Sequence, residues 1–409
     1  MKYLVMLGDG MADRKIKTLD NKTPLEVAYK PTMDFLAQNG RNGLVMTVPE
    51  NMVPESDTAN LAVLGYDPNI YSKGRSPLEA MSMGLSIKNS DYAFRCNLVT
   101  LTDDEPYEKK IITDHSSDEI STAEADELIR CIQEKFGTDV RRFYTGISYR
   151  HCMLWDNPPG YNINTKIYDF TRPHDILGKI IGDYLPKGEI GEAYLQLMKE
   201  SYYILKDHPV NINRIKNGKR PANSLWIWSP GKKPQLSSFK EKFNLNGCII
   251  SAVDLIKGIG KCASMYTPDV VGATGTLNTN YSNKAKEAIN AFEAGNDFVY
   301  IHVEAPDECG HRGEEDNKVK SIEYIDKFIL SPVKEWLDKN GEDYKILLLP
   351  DHYTPIEERT HTHEPVPFVI YDSREVLFEN ISSYSEENAA KTSFYIAEGY
   401  KLIDIFLNL

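Results

Sequence analysis

Aspartate and histidine recur together along this chain. "EAPDECGH" places Asp307 and His311 four residues apart, "LLLPDH" places Asp351 beside His352, and "HTHEPVPF" adds His361 and His363. "MLGDG" near the start contributes Asp9. Five of the nine histidines, His302 among them, fall between residues 302 and 363. At i,i+4 on a helical turn, Asp307 and His311 share a face and can reach one cation. Three carboxylates (Asp9, Asp307, Asp351) and three imidazoles (His311, His352, and His361 or His363) exceed the about four ligands of a single divalent ion. Two ions fit the count, and ions about 3.5–4 Å apart are a standard device for phosphoryl transfer. Mixed carboxylate and imidazole donors accept Mn, Zn, Co or Fe. Each piece alone has a bland reading, as a helix cap, a solvated loop pair or a surface histidine. The recurrence carries the argument.

A hydroxyl group completes the chemistry. In "VPESDTANLAVLGYDP", Ser56, Asp57 and Thr58 precede a helical apolar pattern through Leu61, Val63 and Leu64. Ser56 reads either as an N-cap or as a nucleophile at a helix N-terminus, where backbone N–H groups and the helix dipole favour phosphate. A nearby cation would lower the hydroxyl pKa. Cys309, beside the ligand candidates, is either an oxidation-sensitive thiol or a small core filler.

The elements that must position these groups are short apolar strands. Tyr3–Leu7, Cys248–Val253, Phe298–Val303, Lys345–Leu349 and Pro367–Tyr371 read as buried strands, with helices over Ser282–Ala294 and Lys318–Leu337. Asp9, Asp307 and Asp351 then follow the C-terminal ends of strands, where parallel α/β sheets assemble their sites. Thr23-Pro24-Leu25-Glu26 reads as a capping box with proline at the first helical position, and Thr32 restarts a helix that runs to Gly40. Between about residues 90 and 240, strands shorten and turn signals cluster, as in Asn157-Pro158-Pro159-Gly160 and Lys216-Asn217-Gly218. The expected architecture is an α/β core of residues 1–88 and 242–409, with a mostly parallel sheet flanked by helices, and a smaller α/β domain of residues 89–241 inserted in it.

Composition narrows the class. The 409 residues carry a formal charge of −13 with 41% hydrophobic and 26% charged residues. That balance argues against nucleic acid or an anionic membrane as partner, while local cations can still admit an anionic substrate. No apolar run reaches the roughly 20 residues of a membrane span. The six cysteines form no CxxC pair and read as reduced thiols, so a cytoplasmic location is expected.

The motifs "LGDGMAD", "SDTANLAVLGYDP", "GRSPLEA", "DYAFRCN", "SYRH", "ISAVDLIKGIG", "EAPDECGH", "PDH" and "HTHEPVPF", in this order, resemble the archaeal-type cofactor-independent phosphoglycerate mutases of the alkaline phosphatase superfamily. The resemblance runs nearly end to end. It implies a metal-binding phosphatase-like core with an inserted cap, two divalent ions (manganese foremost; zinc, cobalt or magnesium as alternatives), no 2,3-bisphosphoglycerate, and a phosphoserine intermediate. It implies Ser56 as nucleophile, with Asp9, Ser56, Asp351 and His352 on one ion and Asp307, His311 and a loop histidine on the other. The family's ligand histidine stands four residues before "PVPF", which selects His361 over His363. Arg95, Arg150 and His151 lie in matching cap motifs, and Arg214 and Arg220 are further candidates. Lys257 and Lys261 in "IKGIGK" are candidates to meet the phosphate. His151 or Asp91 would shuttle a proton while the cap holds glycerate away from water. The implied substrate is 3-phosphoglycerate, a small anionic phosphorylated molecule, and the implied setting is glycolysis and gluconeogenesis. Glu55 departs from the family, where glycine often precedes the serine. Related homoserine kinases share most of these motifs, so a homoserine kinase-like phosphotransferase, or a phosphomonoesterase, is the alternative. No P-loop or kinase glycine-rich loop is present.

Overall fold

The computed structural model describes residues 1–160, 170–375, 377 and 381–409. In chain order its strands are β1 (Lys2–Gly8), β2 (Arg41–Val45), β3 (Asp91–Leu101), β4 (Ile112–Asp114), β5 (Arg141–Tyr144), β6 (Arg150–Asp156), β7 (Ser224–Lys232), β8 (Gly247–Ile250), β9 (Phe298–Val303), β10 (Tyr344–Leu349), β11 (Val366–Asp372) and β12 (Tyr395–Ile396). The chain divides into two compact units, residues Met1–Ser72 with Gln235–Leu409, and residues Lys73–Pro234.

The first unit is built on a sheet of order β12-β2-β11-β10-β1-β9-β8. β10, β1, β9 and β8 run parallel, whereas β11 is antiparallel to both β10 and β2. The central strands are apolar along their length because helices cover both faces. Register decides where they end. Leu7 pairs with Leu349, and Gly8 with Val303, so β1, β9 and β10 finish level. The antiparallel β11 begins at that same edge, since Val369 pairs with Leu348. Residues that follow β1, β9 and β10, or precede β11, therefore emerge together.

Glycine and a buried ion pair close this edge. Gly10 has φ +58°, and a side chain there would strike Thr354 and Asp307, with the Asp307 Cα only 2.9 Å from a Cβ. Lys318, on the helix Glu315–Ile325, is fully buried. Its Nζ donates to Asp13 Oδ2 (2.7 Å), Thr354 O (2.8 Å) and Ala12 O (3.3 Å). Asp13 in turn accepts from the Ile356 N–H at 3.2 Å. One ammonium thus ties the loop after β1 to the loop after β10. Burial pushes the Glu386 carboxyl up to about 7, and it receives the Asp13 N–H and the Thr23 hydroxyl.

The second unit is an antiparallel sheet. β3 is central, flanked by β6 and β7, with β5 outside β6 and β4 at the far end of β3. Helices Thr122–Phe136, Gly188–Leu205 and Pro209–Lys216 accompany it.

Several expectations are corrected. The division falls at residues 72/73 and 234/235 rather than at 88/89 and 241/242. The helix Ser76–Ser82 belongs with the second unit because Ser76 bonds Ser229 O and Glu79 pairs with Arg95 at 3.1 Å. The helix Phe239–Phe243 belongs with the first, because Phe239 packs on Phe298 of β9 with ring centroids 4.6 Å apart. The helix expected over 318–337 spans Glu315–Asn340 with a π-turn at Asp326–Leu330. Pro332 supplies the reason, since its missing N–H and its ring disrupt the α-helical ladder of the preceding turn. β2 and β12 were not read from sequence, being short and without alternation.

Replacing Lys318 by Met should cost about 3–5 kcal/mol, because Asp13 is left buried and unpaired. Pairing it with Asp13→Asn should cost less than the sum of the two single changes in urea unfolding. Additive losses would show that the pair does not act as a unit.

Candidate active site

The level strand ends bring six side chains into two groups. Asp9, Asp351 and His352 each offer an atom within 4.8 Å of the others, and so do Asp307, His311 and His361. Asp9 is the first residue after β1. Asp351 and His352 follow β10 after Pro350. Asp307 and His311 share one face of the helix Ala305–Arg312, which starts just after β9.

In the first group, Asp351 is fully buried and held by three donors: the Gly10 N–H (3.0 Å), the His352 N–H (3.0 Å) and Asn60 Nδ2 (2.9 Å). Its oxygens are thereby aimed. His352 Nε2 lies 3.6 Å from Asp9 Oδ1 and 3.5 Å from Asp351 Oδ2. Asp9 Oδ1 is buried without a hydrogen-bond partner among the described residues. Burial, then the charges of Asp351, Asp307 and Glu304, push the Asp9 carboxyl well above its ordinary range. Burial lowers the His352 pKa, against the charge of Asp351, and so favours the neutral imidazole.

In the second group, His311 Nε2 and His361 Nε2 face each other at 3.0 Å, and both approach Asp307, at 3.2 and 3.3 Å. The far nitrogens are anchored on the backbone: His311 Nδ1 on Arg359 O (2.9 Å) and His361 Nδ1 on Pro54 O (2.9 Å). Burial opposes ionisation of Asp307, yet hydrogen bonds from His311 and His361 hold its carboxyl well below the usual range. The Asp307 contact in turn raises His311 to about 9. An orphaned buried carboxylate oxygen, and three nitrogen and oxygen donors converging on one point, fit divalent cations. His363 is exposed and turned to Met52 O at 2.6 Å, away from both groups.

Ser56 is the first residue of the helix Ser56–Val63, not its cap. Glu55 occupies the cap position and makes no side-chain cap bond. The Ser56 hydroxyl instead lies 3.2 Å from His352 Nε2, which brings it to the first group. Thr58 is buried within the helix. Cys309 is buried, which pushes its thiol up to about 11, so it reads as core filler.

Sequence reasoning missed several supporting residues. Asn60 joins Asp351 to the Ser56 carbonyl, the latter at 2.8 Å. Thr354 donates to Asp307 Oδ1 at 2.5 Å and lies 3.2 Å from His352 Nδ1, so it touches both groups. The helical spacing from Ser56 to Asn60 was a usable signal for Asn60, whereas nothing local marks Thr354. Of the lysines, Lys257 pairs with Asp269 at 2.7 Å, and Lys261 lies one turn along the same helix, half-buried. The lysine that bonds the His302 carbonyl (3.2 Å) is Lys284, which burial lowers to about 8 despite the Glu304 charge.

In the second unit, Arg95 pairs with Glu79 and lies over the Trp228 ring at 4.4 Å. Arg150 is exposed beside Tyr149, with its guanidinium 5.5 Å from the ring centroid. His151 Nδ1 accepts the Gly146 N–H at 3.1 Å, and burial lowers its pKa to about 3. Around Trp228 the unit also gathers residues that the sequence reading passed over. His174 and Arg172 approach that ring, and the His115 and His174 rings lie 4.2 Å apart. Two expectations fail on burial. The Arg214 guanidinium is 1% exposed and bound to Glu124, Ser117 O and Arg220 O, which makes it a structural clamp. Asp91 is fully buried, and Arg142 Nη2 donates to both its oxygens at 2.8 and 2.9 Å, so it is not placed to carry protons. Arg220 pairs with Asp114 and Asp118.

A family model described as 2,3-bisphosphoglycerate-independent phosphoglycerate mutase matches residues 37–211. A probable 2,3-bisphosphoglycerate-independent phosphoglycerate mutase of Geobacter sulfurreducens is 46% identical over 409 residues, covering 100% of both chains. The Methanosarcina mazei enzyme of that name is 44% identical over 407 residues, again covering 100% of both. Among solved structures, a Pyrococcus horikoshii protein aligns at TM-score 0.82 and 28% identity, covering 100% of this chain and 96% of that one. The cofactor-independent phosphoglycerate mutase of Thermoplasma acidophilum aligns at TM-score 0.66 and 28% identity, covering 100% and 99%. With relatives of this identity matching from end to end, the chain belongs to the 2,3-bisphosphoglycerate-independent phosphoglycerate mutases, a family of isomerases.

Proposed function

We propose that this isomerase interconverts 3-phosphoglycerate and 2-phosphoglycerate through a phosphoserine formed on Ser56. The observation that carries the reading is the Ser56 hydroxyl, 3.2 Å from His352 at a helix N-terminus and beside two groups of carboxylate and imidazole donors. The residues that would hold two divalent ions are Asp9, Ser56, Asp351 and His352 for one, and Asp307, His311 and His361 for the other. When bound, such ions neutralise the phosphoryl oxygens and lower the hydroxyl pKa. Ser56 Oγ forms the bond to phosphorus as the bond to the glycerate oxygen breaks. The glycerate 2-hydroxyl then takes the phosphoryl group and returns the serine hydroxyl, so no water is consumed. The amides on Asp351 keep its oxygens aimed throughout. In the second unit, Arg150 and the cations around Trp228 suit a carboxylate or phosphate, because a guanidinium donates two parallel hydrogen bonds. Glycolysis in the cytoplasm is the setting this reading implies. No described helix is long and apolar enough to cross a membrane.

The deciding assay supplies 3-phosphoglycerate without 2,3-bisphosphoglycerate, and in a second reaction homoserine with ATP. Turnover only in the second would sink the mutase reading in favour of the kinase. Ser56→Ala should abolish transfer while changing stability by less than about 1.5 kcal/mol, the net worth of one hydrogen bond. After a substrate quench, mass spectrometry should find the phosphorylated peptide in the wild type and in Thr58→Ala, and not in Ser56→Ala. A label that survives loss of Ser56 would refute the covalent step.

Elemental analysis of protein purified without chelator should give two divalent ions per chain. His361→Ala should weaken one of them by more than the roughly 10–100-fold typical of outer-shell changes, and His363→Ala should leave both in place. Equal effects would remove the assignment. His311 sets a pH dependence as well. Its folded pKa of about 9 lies above the ordinary 6.5. In metal-free protein its contact with Asp307 therefore stabilises fully below pH 6.5 and is lost as pH rises through about 9. An ion must displace the same proton, so manganese affinity should rise by up to about tenfold per pH unit between pH 6.5 and 8.5. A flat profile, or no proton release on titration calorimetry, would contradict this.

A further inference from the structure

We propose that His302 is a positioning residue for Asp9, held in one tautomer by Ser251, an inference that rests on the reading of Asp9 as a metal ligand. His302 lies on β9 and is fully buried in what otherwise reads as an apolar strand. A polar ring there is costly unless its nitrogens are used. Neither donor group includes it.

Three neighbouring strand ends carry the arrangement. Ser251 follows β8, His302 lies near the end of β9, and Asp9 follows β1; Ile250 pairs with Ile301, and His302 with Leu7. Ser251 Oγ already accepts the Val253 N–H at 3.0 Å. In the proposed arrangement its own hydroxyl proton goes to His302 Nδ1, 3.3 Å away. With Nδ1 an acceptor, the ring proton resides on Nε2. That nitrogen lies 3.1 Å from Asp9 Oδ2, as a close contact short of an aligned hydrogen bond, and has no other partner among the described residues. Asp9 Oδ1, on the other side of the carboxylate, is the orphaned oxygen that approaches His352. One oxygen of Asp9 thus faces an N–H donor and the other faces the site.

The backbone on both sides is fixed. Lys284 Nζ bonds His302 O at 3.2 Å, and the Asp9 N–H bonds Val303 O at 2.9 Å. His302 therefore has little freedom except ring rotation, which Ser251 restrains. The arrangement turns Asp9 so that Oδ1 is presented to a cation, in the way outer-shell partners orient metal ligands generally.

The test is manganese binding to chelator-stripped protein, read as free-ion EPR signal during titration, on wild type, His302→Leu, His302→Gln and Ser251→Ala. His302→Leu should weaken one of the two ions by about 10–100-fold and leave the other unchanged. His302→Gln, whose amide NH2 can replace the imidazole donor, should recover most of that loss. Ser251→Ala should weaken the same ion, and it carries the test if His302→Leu does not fold. Imidazole nitrogen shifts should show the Nε2-protonated tautomer for His302 in the wild type. Two unchanged affinities in all variants, a His302→Gln as weak as His302→Leu, or an Nδ1-protonated ring would overturn the proposal while the metal reading stands. A wild type that takes up no manganese would overturn both.

Discussion

Three carboxylates converge at one sheet edge, and they cannot all be ionised there without positive charge between them. Asp9, Asp307 and Asp351 are each 5% exposed or less, and Asp9 is pushed well above its ordinary pKa by burial and then by the other two. Like charges brought together in low dielectric leave a fold few options: keep a proton, or supply cations. In this chain His311 and His361 lean on Asp307, and three hydrogen-bond donors hold Asp351. Asp9 has the unfilled oxygen. The strand register, the left-handed Gly10 and the Lys318–Asp13 pair all maintain this concentration of negative charge against its own repulsion.

Around these charges, neighbouring side chains hold the donors in place. Asn60 links the Asp351 carboxylate to the Ser56 carbonyl, so the helix carrying the serine is tied to the site by its own second turn. Thr354 joins the two donor groups, and its carbonyl is held by Lys318. Moving any one of these elements would shift both groups, because each bond of a buried polar network fixes the geometry of the next.

The second unit solves the opposite electrostatic problem. In a chain of net charge −13, Arg95 and Arg172 over Trp228 and Arg150 beside Tyr149 form a local concentration of cations. Arg95 is partly balanced by Glu79, whereas Arg214 is consumed by structural bonds. Residue type alone did not separate the two. An arginine in a helix that follows a turn looks the same in sequence whether its fork reaches solvent or three internal acceptors.

What the sequence by itself determined is the set of donors and the elements that carry them. Apolar runs mark β1, β9, β10 and β11 because strands buried on both faces need no polar alternation. The i,i+4 spacing of Asp307 and His311, and the adjacency of Asp351 and His352, survive folding because they are local. Even the capping box at Thr23 and Glu26 forms as read. Only the tertiary structure decided the rest. It separated His361 from His363, since a two-residue difference in a loop is settled by which ring meets Asp307 and which turns to Met52. It made Ser56 a first helical residue facing His352 instead of a cap, buried Asp91 and Arg214 in structural pairs, and brought His302, Asn60 and Thr354 to the site. Those roles depend on contacts between residues far apart in the chain, from 47 positions for Thr354 and Asp307 to 311 for His363 and Met52, and such contacts follow from strand register and packing, which no local pattern of residues encodes.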